Sequence, residues 1–204
     1  ILAAMGFRGR VTTIGVDLGT TFSVVGVSVN NQVQIITDKE GHTIFPSVVS
    51  YLPSGEVVAA YDAVKRMSDD PRNTIFNSKR FIGRDLDEEK VDEYAASHPF
   101  KVVKVNDTIT PFGGIGFELS ASGHPQIISP ESVGTKVLEY LLGVTAEYLG
   151  HKQVTKAIIA VPAKFDAVQR QATGAAYKAA GLKVIRVLEE PTAAAVAYQL
   201  HKKT

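Results

Sequence analysis

"IGVDLGTTFS", residues 14–23, runs an apolar stretch into a carboxylate, then a glycine, then two threonines. Ile14 and Val16 favour a buried strand, and Asp17 falls at its carboxyl end. Gly19 lets the backbone approach a ligand closely. Successive N–H groups in the following turn can form an anion nest, to which the hydroxyls of Thr20 and Thr21 add donors. Asp17 repels a bare phosphate, but a divalent cation between the two, held through water, reverses the sign. The stretch therefore suits a metal-bound nucleotide better than a plain anion. A capped hairpin turn fits the same letters, since Asp-x-Gly-Thr also arises by chance.

Working outward, "FSVVGVSV" and "VQIITD" flank the polar turn "NNQ", the pattern of a hairpin. "PSVVSYL" and "EVVAAY" add two short strands around Pro53, Ser54 and Gly55. "DPRNTIFNSKRFIG" (70–83) has Pro71 near its start and Gly83 at its end, which predicts a short helix. From Asp85 to Gln126 the chain is less regular, with strands expected at "FKVVKV" and "GFELSA". "GGIG" (113–116) lacks the G-x-G-x-x-G spacing and reads as a hairpin tip. Then Ser129 is a good N-cap, Pro130 suits the first helical position and Glu131 complements the dipole. Val133, Val137, Leu138, Leu141, Val144 and Tyr148 follow at helical spacing up to Gly150. "VTKAIIAVPA" is a strand stopped by Pro162, "DAVQRQATGAAYKAAG" a helix closed by Gly181, "KVIRVL" a strand, and "PTAAAVAYQLHK" a helix opened by Pro191. This alternation implies parallel crossover units. The expected class is α/β, one mixed sheet with an antiparallel start and a parallel finish.

The chain's 204 residues are 45% hydrophobic and 21% charged, enough to bury a core. A net charge of +1 gives no field that argues for nucleic acid or a membrane surface. With no cysteine, disulfide scaffolds, thiol catalysis and cysteine-based zinc sites are excluded. No apolar run approaches the ~18 residues that span a bilayer. Residues 1–10, "ILAAMGFRGR", are compatible with the remnant of a signal peptide or anchor and equally with a frayed terminus.

In open α/β sheets, ligands gather at the carboxyl ends of strands. A second such end is Leu188-Glu189-Glu190-Pro191, where an acidic pair before a proline-started helix also fits simple dipole capping. If its strand neighbours that of Asp17, Glu190 and Asp17 face one cavity. Val161-Pro162-Ala163 is a third. Lys79, one of many lysines, is on its own letters a surface residue. No G-x-x-x-x-G-K-[ST], H-E-x-x-H or G-x-S-x-G occurs, and the histidines show no metal-ligand spacing.

"IGVDLGTTFSVVGV", "NTIFNSKRFIGR", "AEYLG", "VPAKFDAVQRQAT" and "AAGLKVIRVLEEPTAAAVAY" occur in the order seen in heat shock protein 70 chaperones, and the resemblance covers Val11 to Lys202. It implies the actin-like, ribonuclease-H-like ATPase fold. It also implies the first lobe only (residues 11–204): a core subdomain at 11–38 and 116–204, and a peripheral subdomain at 39–115. The family's second phosphate loop, of D-L-G-G-G-T type, has no match here. By motif, Gly19, Thr20, Thr21 and Phe22 resemble the first phosphate loop, and Asp17 and Glu190 the acidic residues that hold magnesium through water. Lys79 resembles the lysine that reaches the γ-phosphate and the attacking water. Pro162, Arg170 and Arg186 resemble a relay to the substrate domain and to J-domain cochaperones, with Arg186 the expected cochaperone contact. Both arginines could equally serve only as partners of carboxylates. The cofactors implied are ATP or ADP and Mg2+. The partners implied are the second lobe, J-domain proteins and nucleotide exchange factors.

The sequence departs from the family pattern at Phe22, Lys164, Glu189 and Asp166-Ala167. The ATP chemistry is expected to be kept and the interdomain coupling altered. "HPFKV" and "ISPESVG" resemble the short microsomal (Stch-like) branch, so the endoplasmic reticulum lumen is the expected location and the cytoplasm the alternative. The sequon at Asn106 is weak support for the lumen. A nucleotide-sensing adaptor with little turnover is a second reading. Another actin-like phosphotransferase is a third, though no sugar-binding insert is seen.

Overall fold

The computed structural model describes residues 11–85, 87–106, 111–121, 123 and 125–200. The expected N-terminal extension, 1–10, lies outside the described residues. A six-stranded sheet carries the fold. Its main path runs β12(Lys183–Glu189), β11(Lys156–Val161), β1(Thr13–Asp17), β2(Phe22–Val29), β3(Gln32–Ile35), with β4(Phe45–Pro46) against β2. β12, β11 and β1 are parallel, while β1, β2 and β3 are antiparallel. This is the expected mixed sheet. The β2–β3 turn places Asn30 and Asn31 at φ of 51° and 60°, which short polar Asn side chains tolerate and which matches the twist of a tight hairpin. β11 lies between β1 and β12, so the strands that end on Asp17 and on Glu189 are not neighbours.

Two three-stranded antiparallel sheets flank the main one. The first orders β6(Val57–Ala59), β5(Val48–Tyr51), β7(Thr74–Phe76), with the single-turn helix α1(Tyr61–Val64) following β6. The second orders β10(Gln126–Ile128), β9(Ile115–Leu119), β8(Lys101–Lys104) and follows helix α2(Glu88–Ser97). This sheet straddles residue 116, drawing strands from both sides of it. The segment 70–83 is not the expected helix. It is a 3-10 turn at Pro71–Asn73, then β7, then a second 3-10 turn at Ser78–Arg80. The β-branched Thr74 and Ile75 favour strand, and β7 completes the sheet on β5. α2 and β10 had no sequence signal strong enough to read, while Gly113 and Gly114 lead into β9 as a loop should.

α3(Pro130–Leu149) has the expected ends. Ser129 accepts a hydrogen bond from the Ser132 N–H at the start, and Gly150 adopts the left-handed conformation (φ 72°) at the finish. α4(Ala167–Ala179) opens on a reciprocal capping box between Asp166 and Gln169. α3 and α4 pack together, and the Thr135 hydroxyl donates to the Ala176 carbonyl at 3.2 Å. Val133, Val137, Leu138 and Leu141 of α3 join Ile14, Val16, Ile159, Ala176 and Tyr177 in one core. α5(Glu190–Ala197) starts where β12 ends and buries none of its residues.

Candidate functional site

The site is built at the carboxyl ends of β1 and β12 and on the second 3-10 turn. Asp17 is the last residue of β1. The turn that follows is closed so tightly that a Cβ on Gly19 would lie 2.0 Å from the Phe22 carbonyl oxygen, so only glycine fits without movement. Thr20 is half-buried and Thr21 exposed. Phe22 opens β2 with its side chain turned outward, 48% exposed.

Lys79 is not a surface residue. It is 9% exposed and sits on the Ser78–Arg80 turn. Phe81, just beyond, anchors that turn in a ring cluster, edge-on to Tyr94 at 5.0 Å and to Phe117 at 5.3 Å. The Lys79 ammonium donates to Glu190 Oε1 at 2.8 Å. It also lies 5.8 Å from the centre of the Phe165 ring, within cation–π range. Asp17 feels both partners. Partial burial pushes its carboxyl above the ordinary value, the Lys79 ammonium pulls it down, and the Glu190 carboxylate pushes it up again, leaving it raised. Asp17, Lys79 and Glu190 are thus one electrostatic unit, although β11 separates the two strands. The small enclosed groove here is lined by Gly19, Ser47, Lys79, Gly134 and Thr173, with neither Asp17 nor Glu190 in its wall, and has a volume of about 10 Å³.

Pro162 and Arg170 come together. The Pro162 carbonyl accepts from the Phe165 N–H at 3.0 Å, closing a turn after β11. Arg170 holds that turn: Nε donates to the Phe165 carbonyl at 2.9 Å and Nη2 to the Ala163 carbonyl at 3.5 Å. Nη2 also meets Glu189 Oε1 at 3.1 Å. Arg186 is apart from this group. It is exposed on β12, forms no ion pair among the described residues, and by strand alternation points to the face opposite Glu189. Asn106 is exposed; its sequon partners 107 and 108 lie outside the described residues. Sequence reasoning missed Phe165 as a neighbour of Lys79, because no spacing links residues so far apart in the chain. It also missed the grouping of Asp38, Glu40 and His42, whose ligand atoms lie within 4.8 Å of one another. There the His42 Nδ1 and Asp38 Oδ2 bond each other at 2.7 Å, beneath a His42–Tyr61 stack.

The family model described as "Hsp70 protein" matches residues 13–204. The chain belongs to the Hsp70 family. Among curated Hsp70 relatives, heat shock 70 kDa protein 13 of Mus musculus is 42% identical over 191 residues, 93% of this chain. The protein of the same name from Rattus norvegicus is also 42% identical, and that from Bos taurus 41%. This Hsp70 chain spans 39% of the length of those relatives. The mixed sheet and the crossover helices accord with the actin-like ATPase fold of Hsp70 proteins. Among the described residues, no helix is long and apolar enough to cross a membrane.

Proposed function

We propose that this chain is the ATP-binding first lobe of an Hsp70-type chaperone, and that the intact protein binds and hydrolyses ATP with Mg2+. The observation that carries the reading is the buried Lys79 held at 2.8 Å by Glu190, with Asp17 in the same field. A lysine is taken out of water only where its charge is matched. Two carboxylates around one ammonium fit a cation and a polyphosphate entering together, and the side-chain-free turn at Gly19 fits a phosphate approaching backbone N–H groups. Asp17 and Glu190 would hold the metal through water, Gly19, Thr20, Thr21 and the Phe22 N–H would hold phosphate oxygens, and Lys79 would leave Glu190 for the transferred group. The bound metal supplies neutralisation of charge on the phosphates. The chain's own part is to position and to offset developing charge.

We further propose a core part at 11–38 and 116–204 and a peripheral part at 39–115. Cycling with the second lobe, J-domain cochaperones and nucleotide exchange factors is proposed on family grounds. Arg186, exposed and without an ion partner among the described residues, is the candidate cochaperone contact. A place in the endoplasmic reticulum lumen is proposed from the branch likeness and the sequon at Asn106, against the cytoplasm. The second reading is a nucleotide-sensing adaptor with little turnover, favoured by Glu189 and Lys164 in the turn region. One experiment separates them. In the intact protein, Lys79→Ala should keep ATP binding within a few-fold while single-turnover hydrolysis falls about 100- to 1,000-fold, the scale of one preorganised charge contact. A mutant hydrolysing at the normal rate overturns the role of Lys79. A wild-type protein that binds but does not turn over ATP favours the adaptor.

A further inference from the structure

Two consecutive carboxylates stand at the junction of β12 and α5, Glu189 ending the strand and Glu190 opening the helix, and each is met by a different cation. Glu190 takes Lys79 at 2.8 Å, and Glu189 takes Arg170 at 3.1 Å. The two pairs are joined through one residue. The Phe165 carbonyl accepts from Arg170 Nε at 2.9 Å, and the Phe165 ring lies 5.8 Å from the Lys79 ammonium. The result is a closed circuit: Glu189, Arg170, Phe165, Lys79, Glu190, and back along one peptide bond to Glu189. Among the described residues the Arg170 side chain meets the Phe165 carbonyl, Glu189 and, as a third partner, the Ala163 carbonyl. Arg170 therefore staples the turn 162–165 to the end of β12, and that turn sets where the Phe165 ring stands.

From this circuit we infer that Glu189 is a positioning residue for Lys79, acting through Arg170 and Phe165. A guanidinium that reaches two carbonyls must be aimed, and Glu189 is the fixed charge that aims it. Without it, the Arg170 side chain keeps only its two carbonyl contacts, one of them long at 3.5 Å, and at 32% exposure is less firmly aimed. The turn then loses its outer staple and the ring its fixed place beneath the ammonium. An exposed ion pair contributes little to global stability. Its effect is therefore expected in the placement of Lys79 rather than in folding. The inference rests on the proposed ATP hydrolysis and adds the residue that holds the lysine ready.

The test is a double-mutant cycle in the intact protein, using Glu189→Ala, Phe165→Ala and the pair, with Glu189→Gln as the charge-only variant of the same shape. Single-turnover hydrolysis, ATP affinity and thermal midpoint are measured for each. Glu189→Ala should slow single-turnover hydrolysis about 3- to 10-fold, toward the lower end of the coupling seen between residues of one network. ATP affinity should change less than about 2-fold, as expected when an interaction acts mainly in the transition state. Glu189→Gln should fall between wild type and Glu189→Ala. In the Phe165→Ala background, Glu189→Ala should have no further effect, since the path runs through the ring; a merely structural residue would add its loss. Additive losses, or a Glu189→Ala rate equal to wild type, overturn the inference and leave the proposed function standing. A wild-type protein without turnover overturns both.

Discussion

At the scale of single residues, Gly19 and Asp17 show how the site is set against stability. A Cβ at Gly19 would meet the Phe22 carbonyl oxygen at 2.0 Å, and that oxygen is backbone, so the turn itself must shift. Gly19→Ala in the intact protein should weaken ATP binding at least about 10-fold and lower stability by roughly 1–3 kcal/mol, the usual range for forced overpacking. Isothermal titration and urea unfolding measure the two effects. Asp17 carries the opposite balance. Its carboxyl is raised above the ordinary value of 3.8, with burial the largest cause. A carboxyl raised on folding binds its proton more tightly in the folded chain than in the unfolded one. Stability then falls as pH climbs from the unfolded value through the folded one, and stays lower at neutral pH. Asp17→Asn should therefore raise the thermal midpoint at pH 7, with a gain that shrinks as pH drops toward 4. It should lose metal-dependent nucleotide binding at the same time. A neutral-pH midpoint below wild type would show that Asp17 is net stabilised by Lys79. The strand end at Asp17 and the tight turn at Gly19 were legible in the sequence because both depend on neighbours in the chain. The Lys79 contact was not, since its partner Glu190 is 111 residues away.

At the scale of elements, the parts read correctly from sequence are those whose ends are fixed locally. The Ser129 cap, Pro130 and the left-handed Gly150 bracket α3, and the Asp166–Gln169 box opens α4. The part misread is the 70–83 segment, where local letters fit a helix but pairing with β5 and anchoring of Phe81 among rings take precedence. That reversal matters for function, because it carries Lys79 on a short rigid turn in place of a helix face. α4 carries one defect that sequence cannot reveal. Tyr177 is fully buried, and its hydroxyl has no hydrogen-bond partner among the described residues. Burial and the nearby Asp17 charge both hold that hydroxyl in its neutral form. A buried donor without a partner is unfavourable by about 1–3 kcal/mol. Tyr177→Phe keeps the ring and removes the defect, so it should stabilise the lobe by about 1 kcal/mol. That corresponds to a rise of roughly 2–4 °C in the thermal midpoint for a chain of this size. A loss of stability would mean that the hydroxyl has a partner in solution, most simply a buried water.

For the molecule as a whole, the sheet sets which chemistry can be complete within it. The order β12-β11-β1-β2-β3 leaves β12 at an edge, with Ile185 and Val187 exposed, and α5 and the residue after it expose Val196 and Tyr198. The charged groups proposed to meet a nucleotide, Asp17, Lys79 and Glu190, gather at the carboxyl ends of β1 and β12. Their chemistry suits phosphates and a metal ion. The enclosed groove under the Gly19 turn, at about 10 Å³, has room for no more than about one water molecule. The larger hollows lie elsewhere: one of about 480 Å³ is lined by Val57, Asp62, Lys136 and Tyr140, another of the same size by Lys178, Leu182 and Val184. Tight binding of a small ligand needs about 70–90% of its surface buried. Phosphate contacts alone leave the base and ribose in water. Residues 1–204 by themselves should therefore bind MgATP no tighter than about 0.1 mM, a free energy near −5.5 kcal/mol. Isothermal titration of this chain with MgATP, repeated with Lys79→Ala, measures it. Micromolar affinity that is lost with Lys79→Ala would show that these residues already supply the base pocket, and the proposed division of the site between two lobes would have to be redrawn.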